Sequence, residues 1–256
     1  MLTAIVRRKD ILNIIYKQGS VKVTLLAKKY DVNEATIRRD LKDLAKKHGI
    51  HLAYGGAFID DGRTCDSIGE INLIKKRRHN FEEKQMIARK AAKLINDGET
   101  IALNAGSTAE YILDYLENIT HLNVITLCAH IAIKAATNPA ISLYMPGGRL
   151  RSPSGVFYGD DSVDFLKKFS VDKCFLGIAA VNIKKGVMHP VLEEIPNQRI
   201  LLDISEKKYL IADYSKFDCA SLATMADLEE FDGLIVDDKL PEVYHEFAKL
   251  NNIEII

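Results

Sequence analysis

The chain has 256 residues, 47% of them hydrophobic, and 35 Lys+Arg balance 35 Asp+Glu to a net charge of zero; that length leaves room for one small and one larger domain. No apolar run reaches membrane-spanning length, and Arg7, Arg8, Lys9 and Asp10 break up the first apolar residues, so neither a membrane protein nor a secretory leader is expected. Cys65, Cys128, Cys174 and Cys219 are scattered without a Cys-x-x-Cys pair and the seven histidines lack paired ligand spacing, so no metal site and no disulfide framework is expected, and a reducing cytoplasm fits best.

In chain order, a helix over 8–18 ends at Gly19-Ser20. A second helix over 24–30, with Leu26, Ala27 and Tyr30 on one side, stops at Asp31-Val32-Asn33, where Asn33 can cap the next helix. That third helix starts at Glu34. Its Ile37, Leu41 and Leu44 recur at i, i+4, i+7 and form a buried face, leaving Thr36, Arg38, Arg39, Lys42 and Lys46 outside it. A basic exposed face near a helix N-terminus suits the major groove of DNA; the bland reading is a solvated surface with no ligand. Tyr54, Gly55 and Gly56 then tip a hairpin. The zero net charge conceals a division, because residues 1–57 hold 12 Lys+Arg against 5 Asp+Glu, or +7, and the remainder holds 23 against 30, or −7. Phosphate neutralisation supplies much of the affinity for DNA, so a cationic N-terminal quarter supports the DNA reading.

Residues 58–80 lose periodicity, pass through Lys75-Lys76-Arg77-Arg78 and read as a linker. From residue 81 strand and helix patterns alternate. Helices are expected over 82–96, to about 116, and over 130–136, 194–204 and 241–250; strands over 100–103, 123–126, 141–145, 174–178, 209–212, 233–236 and 253–256. Such alternation argues for a mainly parallel sheet covered by helices, with ligands beyond the carboxyl ends of the strands.

Three loops at expected strand ends carry chemistry suited to phosphate. Asn104-Ala105-Gly106-Ser107-Thr108 combines a glycine, two hydroxyls and a helix start; an ordinary cap is the plainer reading. Pro146-Gly147-Gly148-Arg149 pairs close backbone approach with a guanidinium, or is a simple turn. Asp213-Tyr214-Ser215-Lys216-Phe217 offers an acceptor for hydroxyls in Asp213 and a point charge in Lys216, or again turn chemistry.

The order of parts resembles the DeoR family of bacterial transcription regulators. The resemblance rests on Leu26-Ala27, the string Thr36-Ile37-Arg38-Arg39-Asp40-Leu41, Gly49 and Gly55-Gly56-Ala57. It continues in Glu83-Lys84 with Ile87-Ala88-Arg89, the three loops above, and Val171-Asp172-Lys173 with Phe175-Leu176-Gly177. It implies an α/β chain in which a small N-terminal winged helix-turn-helix domain (1–57) and a linker (58–80) precede a larger Rossmann-like, sugar-phosphate-isomerase-like effector domain (81–256). Carried over, it implies DNA contacts from Asn33, Thr36, Arg38, Arg39, Lys42, Tyr54, Gly55 and Gly56. Gly106, Ser107, Thr108 and Lys216 would hold the phosphate of a phosphorylated sugar or polyol and Asn104, Gly147 and Gly148 would line the pocket, with Arg149, Glu194 and Asp213 as further candidate contacts read from the residues themselves. The chain departs from the family pattern at Asn104, at Ala179-Ala180-Val181 and at Gln198, where aspartate, Asp-Gly and lysine are frequent.

The expected function is a repressor of a carbohydrate or polyol operon. Its partners are double-stranded operator DNA, the effector and further copies of the chain, with no cofactor, no metal and no membrane. The alternative is a sugar-phosphate isomerase with an attached nucleic-acid module, for which Asp213, Glu193 and Glu194 supply candidate bases.

Overall fold

A computed structural model describes residues 4–18, 20–46, 48, 50–53, 55–59, 79–152 and 154–256. Tyr54 at the wing and the basic run Lys75-Lys76-Arg77-Arg78 lie outside the described residues.

The N-terminal unit runs α1 (Ala4–Gln18), β1 (Ser20–Lys22), α2 (Val23–Tyr30), α3 (Glu34–Ala45), β2 (Ile50–Ala53) and β3 (Gly56–Ile59). At Asp31 the chain turns through a left-handed conformation (φ 51°) that ends α2. Asn33 is extended and its Oδ1 accepts from Thr36 N at 2.8 Å, so α3 starts where the capping residue predicts. Ile11 and Ile15 of α1, Leu26 and Tyr30 of α2 and Ile37, Leu41 and Leu44 of α3 close one small core. Asp40, 1% exposed, binds α3 to α1 by accepting from Arg7 Nε at 2.6 Å and Arg8 Nε at 2.7 Å. Strand β1 is an addition to the expected elements. Three residues show no periodicity of their own; β1 exists because Val21 pairs with Ala57 and Lys22 with Gly56, giving the antiparallel order β1-β3-β2.

The larger unit is a seven-stranded parallel sheet in the order β15-β14-β12-β9-β4-β5-β6. Its strands are β4 (Thr100–Leu103), β5 (Leu122–Thr126), β6 (Ile141–Tyr144), β9 (Val171–Gly177), β12 (Ser205–Ala212), β14 (Gly233–Val236) and β15 (Glu254–Ile255). Alternate residues divide between two cores. Ile101, Leu103 and Phe175 pack under α4 (Phe81–Ala92), α5 (Ser107–Ile112) and α6 (Ala129–Ala135). Ala102, Cys174 and Leu210 face α8 (Ile195–Asp203) and α9 (Glu242–Leu250). Burial on both faces explains why β14 is covered at every position, as a parallel sheet requires.

Several elements differ from the sequence reading. A hairpin of β7 (Arg149–Arg151) and β8 (Val156–Tyr158), the helix α7 (Asp160–Leu166) and an antiparallel sheet of β10 (Ala180–Asn182), β11 (Gly186–His189) and β13 (Ala223–Ala226) were not expected. β7 with β8 and β10 with β11 close as short local hairpins, and β13 reaches β11 from a distant part of the chain. Strands β9 and β12 begin earlier than expected, at Val171 and Ser205, and α4 ends at Ala92 instead of continuing to 96. Cys128 and Cys174 are buried thiols, and burial pushes the Cys174 thiol up to about 11. Among the described residues no helix is long and apolar enough to cross a membrane.

Candidate functional site

The basic face of α3 forms as its period requires. Arg38, Arg39 and Lys42 are exposed, and Thr36 is half-buried. Thr36 and Asn33 serve each other first: Thr36 Oγ1 donates to Asn33 Oδ1 at 2.7 Å, beside the backbone cap. Arg38, with a side chain 56% exposed, donates from Nη2 to Glu34 Oε2 at 2.8 Å one turn earlier. An exposed i,i+4 pair of this kind is worth about 0.3 to 0.5 kcal/mol, so it constrains the guanidinium little.

The wing glycines do not share that exposure. Gly55 occupies a left-handed conformation (φ 89°), and its carbonyl accepts from Val23 N at 2.7 Å, tying the wing turn to the start of α2. Gly56 is buried. A Cβ there would stand 2.1 Å from Val21 O and 2.4 Å from Leu222 Cδ1, so no side chain fits.

In the larger unit the candidate ligand residues fall in three groups, with Asn104, Gly106, Gly147, Gly148 and Asp213 just past the parallel strands β4, β6 and β12 and Glu194 in the turn before α8. The first surrounds Asp213, just past β12. Its Oδ1 accepts from Asn80 Nδ2 at 2.8 Å, from Ser215 N at 3.1 Å and from Ser215 Oγ. Burial works against its ionisation. The Lys216 charge, the Ser215 and Asn80 hydrogen bonds and the Lys84 charge outweigh that and hold the carboxyl below the usual carboxylate range. Lys84 is itself buried on α4 and donates to His79 O at 2.5 Å.

The second group is bracketed by α8. Asn104 was expected to line the pocket, but it is 1% exposed and turned inward. Its Nδ2 donates to Gly177 O at 2.7 Å and Gln198 Oε1 at 2.9 Å, and its Oδ1 accepts from Gly177 N at 2.7 Å. It therefore staples the ends of β4 and β9 to α8, with both amide hydrogens spent on the protein. One turn before Gln198, the buried Glu194 accepts from Ser154 Oγ at 2.7 Å and lies 3.7 Å from both Arg151 Nη1 and His189 Nε2. Beside it, Asn197 Nδ2 donates to Phe157 O while its Oδ1 is buried without a hydrogen-bond partner.

In the third group Gly147, Gly148 (φ 104°) and Arg149 are exposed and follow β6, and the Arg149 guanidinium lies 5.3 Å from the centre of the Tyr158 ring. Gly106 precedes α5 with open space where a Cβ would project, and Ser107 and Thr108 are buried in its first turn.

Sequence reasoning left Asn80, Lys84, Ser154, Arg151 and His189 out of the candidate set. A signal existed for Lys84 alone, since it falls on the same helical stripe as the buried Ile87, Ala88 and Ala91, where a charge is out of place. The others come together only through the fold.

Comparison with known proteins bears on both units. The family model for a DeoR-like helix-turn-helix domain matches residues 7–63, and that for the DeoR C terminal sensor domain matches residues 79–238. A relative from Escherichia coli O157:H7, provisionally named an aga operon transcriptional repressor, is 32% identical over 250 residues, which cover 98% of this chain and 92% of that one. The glycerol-3-phosphate regulon repressor of Escherichia coli (strain K12) is 27% identical over 235 residues, covering 92% and 91%. The lactose phosphotransferase system repressor of Staphylococcus aureus (strain MRSA252) is 29% identical over 233 residues, covering 90% and 91%. Among solved structures, ribose 5 phosphate isomerase A from Neisseria gonorrhoeae is similar at a TM-score of 0.38 and 19% identity over 54% of this chain and 53% of that one.

Proposed function

The chain belongs to the DeoR family of transcription regulators, and from that premise we propose that it represses a carbohydrate or polyol utilisation operon and releases its operator when a phosphorylated sugar or polyol binds the larger domain. The relatives matched are repressors, so the chain is a regulator and not the isomerase-like enzyme of the alternative reading.

The observation that carries the ligand half of this reading is the Asp213 group: two ammonium groups, Lys84 and Lys216, beside one carboxylate at the end of a parallel strand. Three hydrogen bonds to the Asp213 carboxylate enter Oδ1. Oδ2 is thereby aimed to accept from a ligand hydroxyl, while Lys216, with Ser107 and Thr108 at the start of α5, meets phosphate oxygens. Glu194 accepts a further hydroxyl, and Gly147, Gly148 and Arg149 close the exposed side. On the DNA side, Arg38, Arg39 and Lys42 contact the operator, with Asn33 and Thr36 shaping the start of the reading helix.

Release requires that the ligand favour a head arrangement that DNA does not; by linkage, operator then weakens ligand binding by the same factor. Paired heads on a homo-oligomer in the cytoplasm, matched to repeated half-sites, fit this scheme. The test is a thermal-shift panel of sugar and polyol phosphates. A ligand at a hundredfold excess over its Kd adds about 2.7 kcal/mol of stability. Lys216→Ala is expected to lose that shift while still binding operator, and a normal shift in this variant refutes the phosphate assignment.

A further inference from the structure

The wing turn is seated against the larger domain at two leucines. A Cβ built on Gly55 would lie 3.4 Å from Leu192 Cδ1 and 3.8 Å from Leu222 Cδ2, and one on Gly56 would lie 2.4 Å from Leu222 Cδ1. Leu222 is 3% exposed and reaches into the head, where Ile14, Val21, Lys22, Leu25, Leu26 and Lys29 complete a cavity of about 320 Å³ around it. Each leucine continues into something else. Leu192 opens the short turn Leu192–Glu194, so the residue touching the wing sits two positions from the buried Glu194 and its partner Ser154. On the head side, Gly55 O holds Val23 N, the first residue of α2, and α2 packs on α3 through Leu26 and Tyr30.

We infer that Leu192 and Leu222 are the coupling residues of the switch: the turn carrying Glu194 and the wing move as one, so occupancy of the polar site is transmitted through Gly55 to the start of α2. This rests on the ligand reading given above. Two packed leucines against two glycines make a contact with discrete arrangements, since no side chain on the glycine face can fill the gap if the turn withdraws. The wing glycines are then held by the larger domain in this arrangement, and the α3 face alone is presented.

Amide hydrogen exchange on the full chain tests this, with inorganic phosphate as the probe. Without phosphate, Leu222→Ala and Leu192→Ala should each speed exchange in peptides spanning 21–26 and 55–59 by roughly tenfold, with Ile37 and Leu41 as protected as in the unsubstituted chain. Should Leu222→Ala unfold, the half-buried Leu192 supplies the deciding variant. Unchanged exchange in both peptides overturns the coupling. Adding phosphate should protect 106–109 and alter exchange at 21–26 in the unsubstituted chain, but protect only 106–109 in the leucine variants. Protection at 106–109 with no response at 21–26 also overturns it. No protection at 106–109 refutes the ligand reading instead, and the phosphate-free comparison still decides the interlock.

Discussion

Replacing Asp40 by alanine should unfold the DNA-reading head while leaving the larger domain folded. Asp40 is 1% exposed and accepts from Arg7 at 2.6 Å and Arg8 at 2.7 Å. Removing one member of a buried pair leaves an uncompensated charge, here the buried Arg7, at a cost of about 3 to 5 kcal/mol. The Arg8 side chain is 32% exposed and retains Asp43 at 2.8 Å, so its share is small, about 0.5 kcal/mol. A core of this size supplies only about 3 to 5 kcal/mol of stability, so the loss is comparable with all that the head has. Urea unfolding followed by exchange at Ile37 and Leu41 reports on the head, and ligand-linked thermal shift reports on the larger domain. Asp40→Asn, which keeps the shape and one acceptor, should lose less. If Asp40→Ala shifts head stability by under about 0.5 kcal/mol, the pair is not what holds α3 to α1.

Three further outcomes are expected. Arg38→Ala should weaken operator binding by about 1 to 3 kcal/mol at fixed salt and alter stability by no more than its pair with Glu34, about 0.5 kcal/mol; an unchanged affinity in a gel-shift titration removes Arg38 from the contact surface. Asn104→Leu should cost about 3 kcal/mol in thermal unfolding, because Gly177 N, Gly177 O and Gln198 Oε1 all lose a buried partner; a neutral effect would mean that the staple contributes nothing. For Asp213 the folded carboxyl titrates below its ordinary value, so its ionised form stabilises the fold fully above the unfolded pKa of about 3.9 and loses that contribution as pH falls through the lower folded value. Melting temperatures of the unsubstituted chain and Asp213→Asn should therefore converge as pH drops from about 5 towards 3, whereas a gap independent of pH would contradict the assignment.

What could be read from the sequence is local or periodic. The stripe Ile37-Leu41-Leu44, the Asn33 cap and the strand-helix alternation each depend on residues within a turn or two, so they are legible without knowing the partner. The charge division between residues 1–57 and the rest is likewise a property of the chain alone. The candidate site was legible in part, since Asp213, Lys216, Glu194 and the Gly106-Ser107-Thr108 turn lie at strand ends or helix starts where alternation places them. Tertiary structure decided the direction in which those residues face. Asn104 turns inward because Gly177 and Gln198, more than seventy residues away in the chain, offer it three bonds. Lys84 is buried because His79 O and Asp213 lie beside it, and β1, β10, β11 and β13 are too short to declare themselves without their neighbours. The wing glycines read as a DNA-contacting tip from their position in the hairpin, yet Leu192 and Leu222 cover them, a packing of residues more than 130 positions apart that no local pattern encodes.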